Sequence, residues 1–218
     1  MDGCNFDLGG TQLTALPSGA LWWADTSALI VSDLHLGRSQ RIARLGGGLL
    51  PPYEVTDTLL RLDQDIAAAR PRLVICLGDT FDDAQAANLA PDHALWLTRL
   101  MAGRRWVWIE GNHDPGPLYV GGEHRAELPL PPLTFRHIAQ SGALAEVSGH
   151  YHPKARLAGQ SCRCFLFDDA RVILPAYGTF TGGLDWGDAA FRGLLKPGAQ
   201  AILIGRVPRA VPMPGQRP

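Results

Sequence analysis

Residues Ala28 to His35 read ALIVSDLH, an apolar run that breaks at Ser32 into Asp33-Leu34-His35. The same change recurs twice downstream. Leu73 to Leu77 (LVICL) breaks into Gly78-Asp79, and Trp106 to Ile109 (WVWI) breaks into Glu110-Gly111-Asn112-His113-Asp114. Short continuous apolar runs of this kind suit strands covered on both faces. Between the first and second runs, Tyr53 to Arg70 carries Leu59, Leu60, Leu62, Ile66 and Ala67 in a helical stripe. Between the second and third, Asn88 to Met101 carries Leu89, Leu95, Trp96, Leu97 and Leu100 in the same manner. Strand, helix, strand, helix, strand specifies an α/β domain.

The second half changes character. Gly116 to Pro132, with Pro117, Pro129, Pro131 and Pro132, reads as a loop. Short β-like pieces follow at Leu133 to His137, Ala143 to Ser148, Cys164 to Phe167, Val172 to Leu174 and Ala201 to Ile204. They predict a second, more antiparallel sheet. No internal repeat or linker divides the chain, so residues 1–206 read as one domain. Residues 207–218, with prolines at 208, 212, 214 and 218, read as a disordered tail.

Composition narrows the function. The chain has 218 residues, 46% hydrophobic and 19% charged, with a net charge of -1. No global basic field points to nucleic acid, although a local patch suffices. No apolar run reaches the roughly 18–20 residues of a membrane span, and the N-terminus lacks the pattern of a signal peptide. Cys162-Arg163-Cys164 is too closely spaced for zinc and has no second pair, leaving Cys4, Cys76, Cys162 and Cys164 as reduced thiols. A cytoplasmic protein with no membrane association is expected.

Polar residues gather where the apolar runs end, the place where open α/β sheets build their sites. The clusters are Asp33-x-His35, Gly78-Asp79, Gly111-Asn112-His113-Asp114 and Gly149-His150-x-His152, with His137 closing LTFRH. In an extended chain residues two apart share a side, so Asp33 and His35 can grip one ion. His150 and His152 can do the same or straddle two. Adjacent Asn112 and His113 point opposite ways, one toward metal and the other toward substrate. The glycines before the ligands let backbones approach a crowded centre. Singly, such residues are usually turn, cap or hydrogen-bonding residues. Together, Asp33, His35, Asp79, Asn112, His137, His150 and His152 exceed what one closed zinc site takes. They suit two cations bridged by Asp79. Carboxylate, amide and imidazole without thiolate point to Mn, Fe, Zn or Ni over an all-oxygen Mg or Ca site.

In this order, D-x-H, G-D, G-N-H-D and G-H-x-H, the motifs from Asp33 to His152 resemble those of the calcineurin-like metallophosphoesterase superfamily. The resemblance implies a four-layer α/β/β/α sandwich of two mixed β-sheets with the metals at one edge. It assigns Asp33, His35, Asp79 and His152 to one ion, and Asp79, Asn112, His137 and His150 to the other. The family's His-Gly pair appears here as His137-Ile138. SDLHLGRSQRIARLGGGLLPP and ILPAYGTFTGGLDW are in addition similar to the ligase-associated DNA damage response endonucleases of the PdeM group, with Arg38 in place of an expected Lys. That similarity implies a manganese-dependent endonuclease on single-stranded DNA, in a bacterial repair cluster with a ligase, a helicase and an exonuclease.

Within this reading His113 faces the substrate and stabilises the pentacovalent phosphorus or protonates the leaving oxygen. Asp82, in a G-D-x-x-D pattern, is the carboxylate expected to orient it, with Asp114 as the alternative. Asp82 and Asp83 could instead cap a following helix. Arg38, Arg41 and Arg44 recur at helical spacing; Arg38 and Arg41 are candidates for flanking phosphates, and Arg44 for a solvated face. Tyr151 and Trp186 are candidates for stacking on a base, against the commoner burial of aromatics. Arg206, Arg209 and Arg217 read as a passive tail, with non-specific DNA affinity as the alternative, and His93 and His124 as structural or exposed. The competing functions are a small-molecule or nucleotide phosphodiesterase or phosphatase on the same site, and a non-catalytic scaffold of the same fold. The full ligand set and His113 argue against the scaffold.

Overall fold

Apolar and polar residues alternate through the N-terminal segment, and Phe6, Leu8, Leu13, Ala15 and Leu21 all turn to one buried side. In the computed structural model, which describes residues 2–48, 50–83, 85–114, 120–157 and 159–214, this segment is an antiparallel meander. Its strands are β1 (Cys4–Leu8), β2 (Thr11–Ala15) and β3 (Leu21–Trp23), leading into β4 (Ala28–Val31). The two later apolar runs form β5 (Leu73–Leu77) and β6 (Arg105–Ile109), parallel to β4, and β7 (Glu123–Arg125) adds a further parallel edge. These seven strands make one sheet in sequential order.

The connections are α1 (Arg38–Arg44), α2 (Glu54–Ala69) and α3 (Pro91–Met101). Leu59, Leu62 and Ile66 of α2 and Leu97 and Leu100 of α3 pack on Leu29, Val31, Val74, Cys76, Trp106 and Trp108. The neighbouring strand residues Ile30, Ile75 and Val107 face the opposite way, into the core between the sheets. This alternation is why β4, β5 and β6 read as continuously apolar: both faces are covered.

The second sheet contains β8 (Glu127–Leu130), β9 (Leu133–Arg136), β10 (Glu146–Ser148), β11 (Lys154–Leu157), β12 (Gln160–Phe167), β13 (Arg171–Ile173), β14 (Gln200–Leu203) and β15 (Arg209–Pro212). Its order is β15-β14-β12-β13-β10-β9-β8, with β11 paired to β12. Leu128, Phe135, Val147, Phe165, Val172 and Ile202 close the core between the sheets. On the outer face, Trp186, Phe191 and Leu195, around the one-turn helix α4 (Ala189–Arg192), cover Leu166, Ile173 and Ala201. The result is the expected α/β/β/α layering, with a thin fourth layer. Among the described residues no helix is long and apolar enough to cross a membrane.

Three expectations change. The stretch from Gly116 to Pro132 contains β7 and β8; residues 115–119 lie outside the described part. Pro129 is tolerated because β8 is an edge strand, where a missing N–H costs no ladder bond. The tail from Val207 is ordered as β15, also an edge, and Met213 is buried beyond it, while residues 215–218 lie outside the described part. Buried apolar area at Met213, supported by pairing to β14, outweighs the local proline content. Trp186 is buried in the outer core and offers no stacking face.

Candidate metal centre

The polar clusters converge where β4, β5, β6, β9 and β10 end. They do so through left-handed turns, not extended chain: φ is 54° at Asp33, 46° at His35, 47° at Asp79, 70° at His150 and 47° at His152. Each such turn is strained for a residue with a side chain. Backbone hydrogen bonds hold the turns, from Asp33 N to Gly78 O (3.2 Å), His35 N to Asp79 O (2.9 Å) and Gly178 N to Asp33 O (3.1 Å). Asp33 and His35 share one group and His150 and His152 divide between two, brought there by turns and not by extended spacing. His150 and His152 go to different clusters because each turn re-aims its side chain.

Asp33, His35 and His152 form one group of ligand atoms, and Asp79, His137 and His150 another. In the first, His152 Nε2 lies 3.1 Å from Asp33 Oδ1 and 3.4 Å from His35 Nε2. In the second, His137 Nε2 lies 2.9 Å from Asn112 Oδ1, 3.2 Å from His150 Nδ1 and 3.5 Å from Asp79 Oδ2. Asp79 Oδ2 is also 3.8 Å from His35 Nε2. That oxygen stands between the groups, where a bridging ligand belongs.

The residues fit a pair of cations. Asp33 Oδ1 is buried and accepts no hydrogen bond among the described residues, whereas Oδ2 accepts from His150 N at 2.9 Å and from Ser32 Oγ. One carboxylate oxygen is anchored and the other is left to a cation. His137 donates its Nδ1–H to Leu77 O at 2.7 Å, turning Nε2 toward the group, as second-shell bonding does for metal histidines. Facing imidazole nitrogens satisfy one another poorly, and a cation between them answers both. The glycines are required by contact: a Cβ at Gly149 would lie 1.7 Å from Ser32 Oγ, and one at Gly111 would lie 2.2 Å from Asp79 Oδ1.

The electrostatics follow. Burial pushes the Asp79 carboxyl up, but the hydrogen bond and charge of His137, with help from the His113 amide and His35, hold it at about 2. Burial pushes His137 down, yet Asp79 and Asp33 raise it to about 9. His150 is lowered by burial and by the charge of His137. Burial and the charge of Asp79 raise Asp114 to about 6 against the Thr80 and Phe81 amides that bond it.

Asp82 is buried, but its carboxylate does not orient His113. It lies 2.8 Å from His35 Nδ1 and accepts from Arg38 at 2.9 Å and Arg41 at 3.2 Å. Burial would push it up; His35 and the two guanidiniums hold it at about 2. His113 donates Nδ1–H to the main-chain oxygen of Asp82 at 2.9 Å, and its Nε2 lies 4.0 Å from Asp79 Oδ2. Asp114, the alternative, accepts the Thr80 and Phe81 amides instead. Asp82 caps no helix, since α3 begins at Pro91.

A cleft of about 230 Å³ opens on the centre, lined by His35, Arg38, Arg41, Asp79, Asn112, His113, His150, His152 and Gly182. Arg38 and Arg41 thus reach the cleft, while Arg44 pairs with Asp83. Tyr151 is half-buried, edge-on to His150 and Phe191. His93 meets Thr56 at the surface. Sequence reasoning missed Ser32, which anchors Asp33, and Gly182; the serine's place between strand and ligand was the available signal.

The calcineurin-like phosphoesterase family model matches residues 26–196. Among solved structures, the nuclease MPE of Pseudomonas putida aligns with a TM-score of 0.76 at 30% identity, covering 95% of this chain and 100% of that one. The E. coli phosphoesterase Yfce aligns at 13% identity and a TM-score of 0.39, covering 82% of this chain and 88% of its own, too remote to carry an argument. No curated protein matches.

Proposed function

Because the chain belongs to the calcineurin-like phosphoesterase family, we propose that this hydrolase of phosphate esters is a manganese-dependent endonuclease acting on single-stranded DNA. The observation that carries the reading is the meeting of two ligand groups at Asp79 Oδ2. Asp33, His35, Asp79 and His152 would hold one ion, and Asp79, Asn112, His137 and His150 the other. When bound, such a pair supplies an activated water near neutral pH and neutralises the phosphate.

The chain's own residues supply the rest. Asp82, through its main-chain oxygen, fixes the ring of His113 so that Nε2 faces the cleft. Doubly protonated, His113 can give its Nε2 proton to the leaving oxygen or stabilise charge on the equatorial oxygens. Arg38 and Arg41, braced by the Asp82 carboxylate, present positive charge to the non-bridging oxygens of the substrate. The nuclease neighbour supports a polynucleotide substrate. The PAYGTFTGG-type motif supports a place in DNA repair beside a ligase, a helicase and an exonuclease. A small phosphodiester remains the competing substrate, since the same cleft accepts it.

The deciding experiment incubates covalently closed circular single-stranded DNA and a simple aryl phosphodiester with protein and manganese, each beside His113→Ala. Nicking of the circle, lost in the variant, establishes an endonuclease because a circle has no end. Hydrolysis of the diester with an intact circle moves the substrate to small nucleotides.

A further inference from the structure

Two aromatic side chains stand at the surface and take no part in the metal centre. Tyr53 and Phe180 are 54% and 37% exposed, with ring centroids 5.6 Å apart at an interplanar angle of 56°. They come from separate parts of the chain, Tyr53 just before α2 and Phe180 in the loop that follows β13.

Both are tied to the cleft. Phe180 is two residues from Gly182, which lines it. Its neighbour Thr179 is clamped to α2 through Arg61 (2.9 Å), Thr58 (3.1 Å) and Asp57. Tyr53 adjoins Glu54, whose buried carboxylate accepts the Ser39 amide at 3.3 Å. Ser39 adjoins Arg38, another cleft residue. Chain neighbours of both rings are thus hydrogen-bonded to α2 or to the turn of α1 that carries Arg38.

The backbone adds a second observation. Phe180 has φ of 61°, a region where a bulky residue is strained and glycine is not. The residue is more than a third exposed, so burial gives little return for the strain. Residues kept in such conformations cluster at ligand-binding positions.

We infer that Tyr53 and Phe180 form a stacking platform for an unpaired base of the strand whose phosphate enters the cleft. The inference rests on the nucleic-acid reading above and deepens it. Every base has a π-face, so a platform of this kind binds without reading sequence. A paired base keeps its faces inside the duplex and cannot use it. Preference for single strands then has a structural source in Tyr53 and Phe180, whereas Trp186 is buried and Tyr151 is half-buried against His150 and Phe191.

The test uses His113→Ala with manganese, to bind without cutting, and follows fluorescence anisotropy of a short oligo-dT and of the same strand bearing abasic sites. The parent binds oligo-dT more tightly than the abasic strand. Adding Phe180→Ala or Tyr53→Ala weakens oligo-dT binding about tenfold and erases the preference; Phe180→Trp restores it. Melting temperature and its rise on adding manganese should hold in each variant, and Phe180→Gly, which relieves the strain, separates ring loss from misfolding. Equal binding of both strands, or variants that bind as the parent does, overturns the platform while nicking of the circle leaves the endonuclease standing. Failure of any strand to bind, together with an intact circle, overturns both.

Discussion

His113 Nδ1 lies 2.9 Å from the main-chain oxygen of Asp82, while the carboxylate of that aspartate turns away to His35, Arg38 and Arg41. One residue thus serves two sides of the cleft by different atoms. Asp82→Asn keeps the carbonyl and removes the charge. The expected result is a loss of manganese affinity on the order of 10–100-fold, through His35. Metal titration beside turnover checks this; lost turnover with intact metal affinity would return the carboxylate to His113.

Metal binding should release protons. Without metal, the His137 value of about 9 against an ordinary 6.5 means the ring is protonated at pH 7. Its contribution to stability is fully present below 6.5 and is lost as pH rises through about 9. Asp79, held at about 2 against 3.8, acts oppositely: its contribution is present above 3.8 and is lost as pH falls through about 2. A cation must displace the His137 proton. Manganese affinity should therefore climb about tenfold per pH unit toward pH 9 for that one proton. Calorimetry in buffers of different ionisation enthalpy measures the release.

Gly149→Ala places a methyl 1.7 Å from Ser32 Oγ and 2.5 Å from Asp33 Oδ2. Neither atom can retreat, since Ser32 bonds Asp33 and that carboxylate is anchored by the His150 amide. Overpacking of this kind costs about 1–3 kcal/mol. Urea unfolding should show that loss, and metal analysis should show the Asp33 ion depleted before the one at His137.

How much of this was legible follows from what each residue's signal depends on. The three apolar runs and their polar ends are local, and they point to β4, β5, β6 and to Asp33, His35, Asp79 and Asn112, while His137 closes a later β-like piece and His150 and His152 stand in their own Gly-His-x-His motif. The meander β1 to β3 went unread because Cys4 to Trp23 is amphipathic and short-stranded, its pairing visible only once formed. β8 and β15 are hidden by prolines that edge strands tolerate, and β7 by its three-residue length just after Gly121 and Gly122. The ligand geometry depends on left-handed turns at Asp33, His35, Asp79, His150 and His152, which non-glycine residues do not announce. The role of Asp82 was misread because sequence shows a side chain and says nothing of its carbonyl.

The motif around Tyr177 to Gly183 contributes no metal ligand, and its hydrogen bonds explain its part. Arg61 donates to Tyr177 O, to Thr179 Oγ1 at 2.9 Å and to Asp57 at 2.6 Å. Tyr177 N and Gly178 N in turn bond Ser32 O at 2.8 Å and Asp33 O at 3.1 Å. A path of bonds therefore runs from α2 to the Asp33 turn. Arg61→Ala should cost about 2 kcal/mol and weaken manganese binding several-fold, with faster hydrogen exchange at residues 177–183. Arg61→Lys should recover little, because one ammonium cannot replace a fork that serves three acceptors at once. A purely peripheral helix–loop contact would lower stability and leave metal affinity untouched, so the two readouts together decide whether this loop supports the centre.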